Sequence, residues 1–174
     1  LVYNMGLLSD NGKNGTFTDV PADHARAEVI SAAGKAGLVN GYDNGDGTFS
    51  FKPDNTITRA EFAAVVCRAL GLENSAEGAK GATAFTDVKA DHWATGYINL
   101  ATQNGIINGY GDGNFGPEDK VTYEQAVKML VCALGFEPMA AQKGGYPTGY
   151  LVVANAYKIT AGVTASVEAP RKTV

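Results

Sequence analysis

Apolar positions recur at helical spacing in four stretches of this chain, and glycine marks the end of each. The first runs from about His24 to Ala36 and stops at Gly37. A second carries Tyr97, Leu100 and Ala101, with Asn104 and then Gly105 as its stop. The other two carry Phe62, Val65, Val66 and Ala69, and Val127, Leu130, Val131 and Leu134. Both of these open on a capping box, Thr58-Arg59-Ala60-Glu61 and Thr122-Tyr123-Glu124-Gln125. In each box the threonine hydroxyl takes the third helical amide, and Glu61 or Gln125 reaches back to the threonine N–H. Between the helices lie turns such as Tyr42-Asp43-Asn44-Gly45-Asp46-Gly47, made of residues that accept left-handed backbone. Extended pieces such as Thr48-Phe49-Ser50-Phe51 are too short for a real sheet.

The pattern repeats. Phe17-Thr18-Asp19-Val20 returns 68 residues on as Phe85-Thr86-Asp87-Val88, and Asp23-His24 and Gly41-Tyr42 return at the same offset. After the turn the offset falls to 64, placing the extra residues of the first copy within Asp43 to Pro53. A degenerate third copy aligns Trp93-Ala94-Thr95-Gly96-Tyr97 with Tyr146-Pro147-Thr148-Gly149-Tyr150. One helix pair cannot bury its apolar stripe alone, whereas three packed copies can. The expected organisation is one module over 1–174. It has an N-terminal helix and linker (1–16), repeat 1 (17–73), repeat 2 (85–137) and repeat 3 (144–174). The expected fold is mainly α, three helix-turn-helix repeats packed as a pseudo-threefold bundle with short extended turns.

Composition narrows the function. Fourteen Lys+Arg against eighteen Asp+Glu give a net charge of −4, which argues against a nucleic-acid binder. No apolar run approaches the ~20 residues of a membrane span, so no membrane insertion is expected. The 22 glycines are close to twice the usual share and fall between the periodic segments, as turns. Cys67 and Cys132 lie in apolar helical stretches and read as buried free thiols. We expect no metal and no cofactor. The Asp10–Gly15 and Asp43–Gly47 loops lack the ligand spacing of a calcium loop and read as turns. The start at Leu1-Val2-Tyr3-Asn4 reads as a mature protein or an excised piece.

The ordered set Phe-Thr-Asp-Val, Asp91-His92-Trp93, Gly105 to Pro117 and Ile57-Thr58-Arg59-Ala60-Glu61-Phe62 resembles the S-layer homology domain family over nearly the whole chain. The resemblance implies an extracellular, non-catalytic anchor on the surface of Gram-positive-type bacteria. Grooves between repeats would bind secondary cell-wall polysaccharide, through a pyruvylated N-acetylmannosamine unit. The Thr-Arg-Ala-Glu motif is the family's best-known binding element.

The expected glycan-binding residues are Arg59, Trp93, Arg171, Asp19 and Asp87. Thr58, Glu61, Thr122 and Gln125 are expected as helix caps. Arg59 sits at a helix start, where the dipole disfavours a cation. Beside free amides a guanidinium grips a carboxylate such as a pyruvate ketal, so Arg59 is expected to be solvent-accessible. The competing role is a salt bridge to a neighbouring repeat. Trp93 reads as a sugar platform or a core plug. For Asp19 and Asp87, which follow aromatic residues in turns, local backbone hydrogen bonding is the favoured reading. Ala25 replaces the tryptophan in the first copy, and Tyr123 replaces the arginine in the second. Pro170-Arg171-Lys172-Thr173 keeps an arginine in the third.

An alternative of another class is a structural protein that self-assembles into a surface layer or filament. Catalysis is the weakest reading. The acidic residues repeat as turn and cap positions, and His24 and His92 have no Ser or Cys partner nearby in sequence. Finally, Ala169 to Val174 aligns with the first turn of the second helix, and Leu1 to Met5 with its later part. Residues 1–8 are therefore expected to be helical and to complete repeat 3, in the same chain or in a neighbour with self-association through the ends.

Overall fold

The capping boxes form as the sequence predicts, and they set where the two longest helices begin. In the computed structural model, which describes residues 1–174, Glu61 N–H donates to Thr58 Oγ1 and Thr58 N–H to Glu61 Oε1, both at 3.2 Å. Gln125 N–H and Thr122 Oγ1 lie 3.1 Å apart, and the return bond is 3.2 Å. The chain is mainly helical, in the order α1 (Ala27–Lys35), β1 (Tyr42–Asp43), β2 (Phe49–Ser50), α2 (Arg59–Ala69), α3 (Glu73–Gly78), α4 (Thr95–Gln103), α5 (Tyr123–Ala133), α6 (Glu137–Gln142) and α7 (Thr148–Ala156). No helix is long and apolar enough to cross a membrane.

α2 and α5 are buried on nearly every side. Ala60, Phe62, Ala63, Ala64, Val66 and Cys67 of α2 are all at most 2% exposed. A helix covered all round lies inside the molecule and not on its face. α2 and α5 touch each other, α4 packs on α2, and α7 packs on α5. A separate small cluster of Phe17, Ile30 and Phe51 closes the first copy's loop. Just before α2 and α5 the chain makes a closed ring of three backbone hydrogen bonds. Val121 N–H donates to Ile57 O (3.0 Å), Ile57 N–H to Ala169 O (3.3 Å) and Ala169 N–H to Val121 O (3.0 Å).

Four local expectations change. The first helix starts at Ala27 instead of His24, because His24 Nδ1 accepts the Arg26 N–H (3.0 Å) and holds a turn there. The extended pieces of the first copy pair as a minimal antiparallel hairpin, Tyr42 with Ser50 and Asp43 with Phe49. α3 and α6 are additional short helices that follow the Gly71 and Gly135 stops. They pack against α4 and α7. The contact is backbone-close: a Cβ on Gly96 would lie 1.9 Å from Ala76 O, and one on Gly149 2.0 Å from Ala140 O.

The fourth change concerns residues 1–8, which form only one 3₁₀ turn, Tyr3–Met5. They nevertheless dock on the C-terminal turn of the same chain. Val2 N–H donates to Val174 O at 2.7 Å, and the Leu1 amine to Thr173 O at 2.9 Å. Those two bonds follow the i to i−4 pattern of a helix with two residues left out. Asn4 Nδ2 adds bonds to Ile159 O and Ala161 O at 2.8 and 2.9 Å.

Candidate functional site

Arg59 is the first residue of α2, and its side chain crosses into the loop of the second copy. Its Nε donates to Phe115 O at 2.8 Å and its Nη2 to Asn108 O at 2.7 Å. The guanidinium carbon lies 4.7 Å from the ring centres of both Tyr110 and Phe115. The residue is only 5% exposed, so the expected open arginine is corrected: the loop wraps it. Two carbonyls and two ring faces offset the lost water. Burial lowers the guanidinium from its ordinary pKa, and Tyr110, Asp119 and Asp87 oppose the shift. An arginine stays charged under such a shift. No carboxylate is hydrogen-bonded to it, which also removes the expected alternative of a salt bridge. What remains of its surface lines a groove together with Tyr110, Gln125, Lys128, Glu137 and Tyr146.

Arg171 makes the corresponding reach into the loop of the first copy. Nε donates to Phe51 O at 2.8 Å, and Tyr42 and Phe51 rings lie 4.9 and 4.8 Å from the guanidinium carbon. Here a carboxylate is present: Arg171 Nη1 pairs with Glu61 Oε2 at 2.6 Å, and the Tyr42 hydroxyl donates to the same oxygen at 2.9 Å. Glu61 is thus both a cap and an arginine partner. At the third corresponding position Tyr123 is buried, with its N–H on Val167 O at 3.2 Å.

Asp19 and Asp87 support these arginines from behind. Asp87 accepts the N–H groups of Phe115 and Gly116, both at 2.8 Å, and Asp19 accepts those of Phe51 and Lys52 at 2.8 and 2.7 Å. The partners are backbone amides, but distant ones, across the loop instead of within the local turn. Both carboxylate oxygens of each aspartate are occupied inward, fixing the residue whose carbonyl holds the arginine Nε. Burial raises the Asp87 pKa, but the two N–H bonds, its own backbone N–H and Arg59 outweigh it and hold the carboxyl below its usual value.

Trp93 is 51% exposed, so it is not a core plug. It stacks on His92 at 5.8 Å and tilts against Tyr97 at 6.4 Å. It does not line the Arg59 groove. Its counterpart Tyr146 does, with Lys128 Nζ 5.4 Å from the ring centre. Lys128, Tyr110 and Tyr146 are groove residues that sequence reasoning passed over. The available signal was Lys128 itself, the one cation on α5. His92 is used structurally: its Nδ1 accepts the Ala94 N–H at 3.1 Å, and Nε2 faces Glu118 at 3.3 Å. Asp43 and Asp46 close their own turns on the N–H groups of Gly45 and Thr48. The two cysteines are free, and burial, ahead of the Glu73 charge, pushes the Cys67 thiol up to about 11.

The family model for the S-layer homology domain matches residues 16–63 and 84–127. A surface layer protein of Brevibacillus choshinensis is 39% identical over 148 residues, which is 85% of this chain and 13% of that protein. The middle cell wall protein of Brevibacillus brevis is 43% identical over 160 residues, 92% of this chain and 14% of its own length. A cellulosome-anchoring protein of Acetivibrio thermocellus is 37% identical over 87 residues, half of this chain and 19% of that protein. The chain therefore spans less than a fifth of each of these relatives. With more than half of its residues matched by the family model, the chain belongs to the S-layer homology domain family of surface-anchoring modules, and its place is the cell surface.

Proposed function

We propose that the chain anchors a protein to the cell wall by binding secondary cell-wall polysaccharide in the grooves between its repeats. The recognised unit is a pyruvylated amino sugar. The repeats, 17–73, 85–137 and 144–174 completed by residues 1–8, are arranged about a pseudo-threefold axis. The ring of hydrogen bonds through Ile57, Val121 and Ala169 supports that arrangement. One observation carries the binding reading: Arg59 is held between two rings and two carbonyls, with no carboxylate bonded to it, at the edge of a groove. A fixed guanidinium of this kind grips a ligand carboxylate without paying to order its own side chain. Tyr146 offers a face for a sugar ring, and Trp93 offers a second, more exposed one.

The test is co-sedimentation with purified cell-wall polysaccharide, before and after mild acid removes the pyruvate. Retention that disappears with the pyruvate supports the reading. Equal retention on both glycans refutes the carboxylate as the recognised group, and no retention refutes the anchor.

A further inference from the structure

Six Asn-Gly pairs lie in this chain, at Asn11, Asn14, Asn40, Asn44, Asn104 and Asn108. Four of these asparagine side chains are held. Asn11 Nδ2 donates to Ala36 O at 3.0 Å, and Asn104 Nδ2 to Leu100 O at 2.8 Å. Asn14 makes both of its side-chain bonds to Thr16, and Asn44 is bonded to Thr48 and Ser50. Asn40 and Asn108, equivalent positions of the two copies, differ from these. Both are exposed, neither side chain is hydrogen-bonded, and the N–H of the following glycine has no acceptor. Packing enforces those glycines: a Cβ on Gly109 would run into Phe85 Cε1, and one on Gly41 into Phe17 Cε1. The two copies part in one respect. Asn108 O accepts from Arg59 Nη2 at 2.7 Å, whereas Arg171 bonds to Phe51 O and Glu61 and not to Asn40 O.

We propose that Asn108 is a site of spontaneous deamidation whose product neutralises Arg59. The Gly109 nitrogen gives its proton to solvent base and attacks Asn108 Cγ. The Cγ–Nδ2 bond breaks, and Nδ2 takes a proton from water and leaves as ammonia. The resulting five-membered imide then takes up one water. Opening at Cγ gives an aspartyl residue. Opening at the main-chain carbonyl gives an isoaspartyl linkage, with a carboxylate on the very carbon whose oxygen held Arg59. The isoaspartyl product thus turns a neutral acceptor of Arg59 into an anionic one, in the groove that both residues line. Glycine has no Cβ to hinder the attack. The unbonded Asn108 carboxamide has no hydrogen bond to break first, whereas a held asparagine has at least one, which slows the step by about tenfold. A tethered carboxylate meets the guanidinium at high effective concentration and so excludes the carboxylate of a glycan. That last consequence rests on the glycan reading above; the modification and its effect on Arg59 do not.

The experiment ages the whole chain in warm, mildly alkaline buffer and follows each Asn-Gly peptide by mass spectrometry, with isoaspartyl methyltransferase labelling of the product. Asn108 and Asn40 convert faster than Asn44 and Asn104 by about tenfold or more, and isoaspartate forms at Asn108. The Arg59 Nε–H resonance, assigned with Arg59→Ala, shifts in step with conversion at Asn108. In Asn108→Gln, compared with its own fresh sample, Asn40 still converts and the Arg59 resonance stays in place. Retention on pyruvylated cell-wall polysaccharide falls as the wild type converts and holds steady as Asn108→Gln ages. Conversion at Asn108 no faster than at Asn44 overturns the site. Conversion without a shift at Arg59, the same shift in aged Asn108→Gln, or undiminished retention of fully converted protein overturns the neutralisation. Fresh wild type that is not retained overturns the glycan reading instead, and the masses and the Arg59 resonance then decide this proposal by themselves.

Discussion

Replacing Gly96 by alanine tests the packing that presents Trp93. By helix propensity alone the change stabilises, by about 0.5–1 kcal/mol. The structure reverses the sign. The new Cβ lies 1.9 Å from Ala76 O and 2.8 Å from Ala76 C, both backbone atoms of α3. No rotamer relieves that contact, so α3 and α4 must part. Parting them strains the bonds from Asn99 Nδ2 to Ala79 O and Ala82 O (2.9 and 3.1 Å) and from Gly81 N–H to Thr95 Oγ1 (3.2 Å). At about 1 kcal/mol for each bond, and allowing for the propensity gain, the net loss is about 2–3 kcal/mol. For a chain of this size that lowers Tm by about 4–12 °C. Gly78→Ala is the internal control: it lies in α3, the other helix of the contact, nothing is within 4 Å of its added Cβ, and it should hold or raise Tm. Thermal unfolding followed by far-ultraviolet circular dichroism measures both. A Gly96→Ala variant as stable as the wild type refutes the close packing of α3 on α4.

Further outcomes follow from the same contacts. Arg59→Ala should abolish glycan retention and also destabilise by about 1–3 kcal/mol for each carbonyl left unpaired, read from urea midpoints; retained binding refutes its role. Trp93→Ala should weaken retention while Tm stays within about 2 °C, because the ring is half exposed; a buried tryptophan would cost about 3–5 kcal/mol instead. Thr122→Ala should cost about 1 kcal/mol with an unchanged m-value, since it removes one cap and no core contact. The Asp87 carboxyl is held below its usual value, so its stabilisation is complete above the unfolded pKa of about 4 and is lost as pH falls below that. Asp87→Asn should therefore lose more stability at pH 7 than at pH 3; equal losses at both refute the clamp.

Short-range features were legible in the sequence because short-range chemistry fixes them. Thr58 with Glu61, and Thr122 with Gln125, satisfy amides within one helical turn, so spacing alone locates both helix starts. The repeat offsets likewise exposed the two copies that the family model matches. The meeting of the chain ends followed from register, although the N-terminal stretch is too short for more than one 3₁₀ turn. What sequence could not decide is where a side chain goes once it leaves its own copy. Arg59 reads as exposed beside its own helix, yet it is buried because its partners, Asn108 and Phe115, lie some fifty residues away. Asp19 and Asp87 read as local turn acceptors, yet each clamps a loop about thirty residues on. Gly96 and Gly149 carry no periodic signal, because their role is the passage of another helix's backbone. Glu61 and Gln125 are equivalent as caps. Only the tertiary fold, by bringing Arg171 to one and Arg59 to the groove of the other, makes them chemically different.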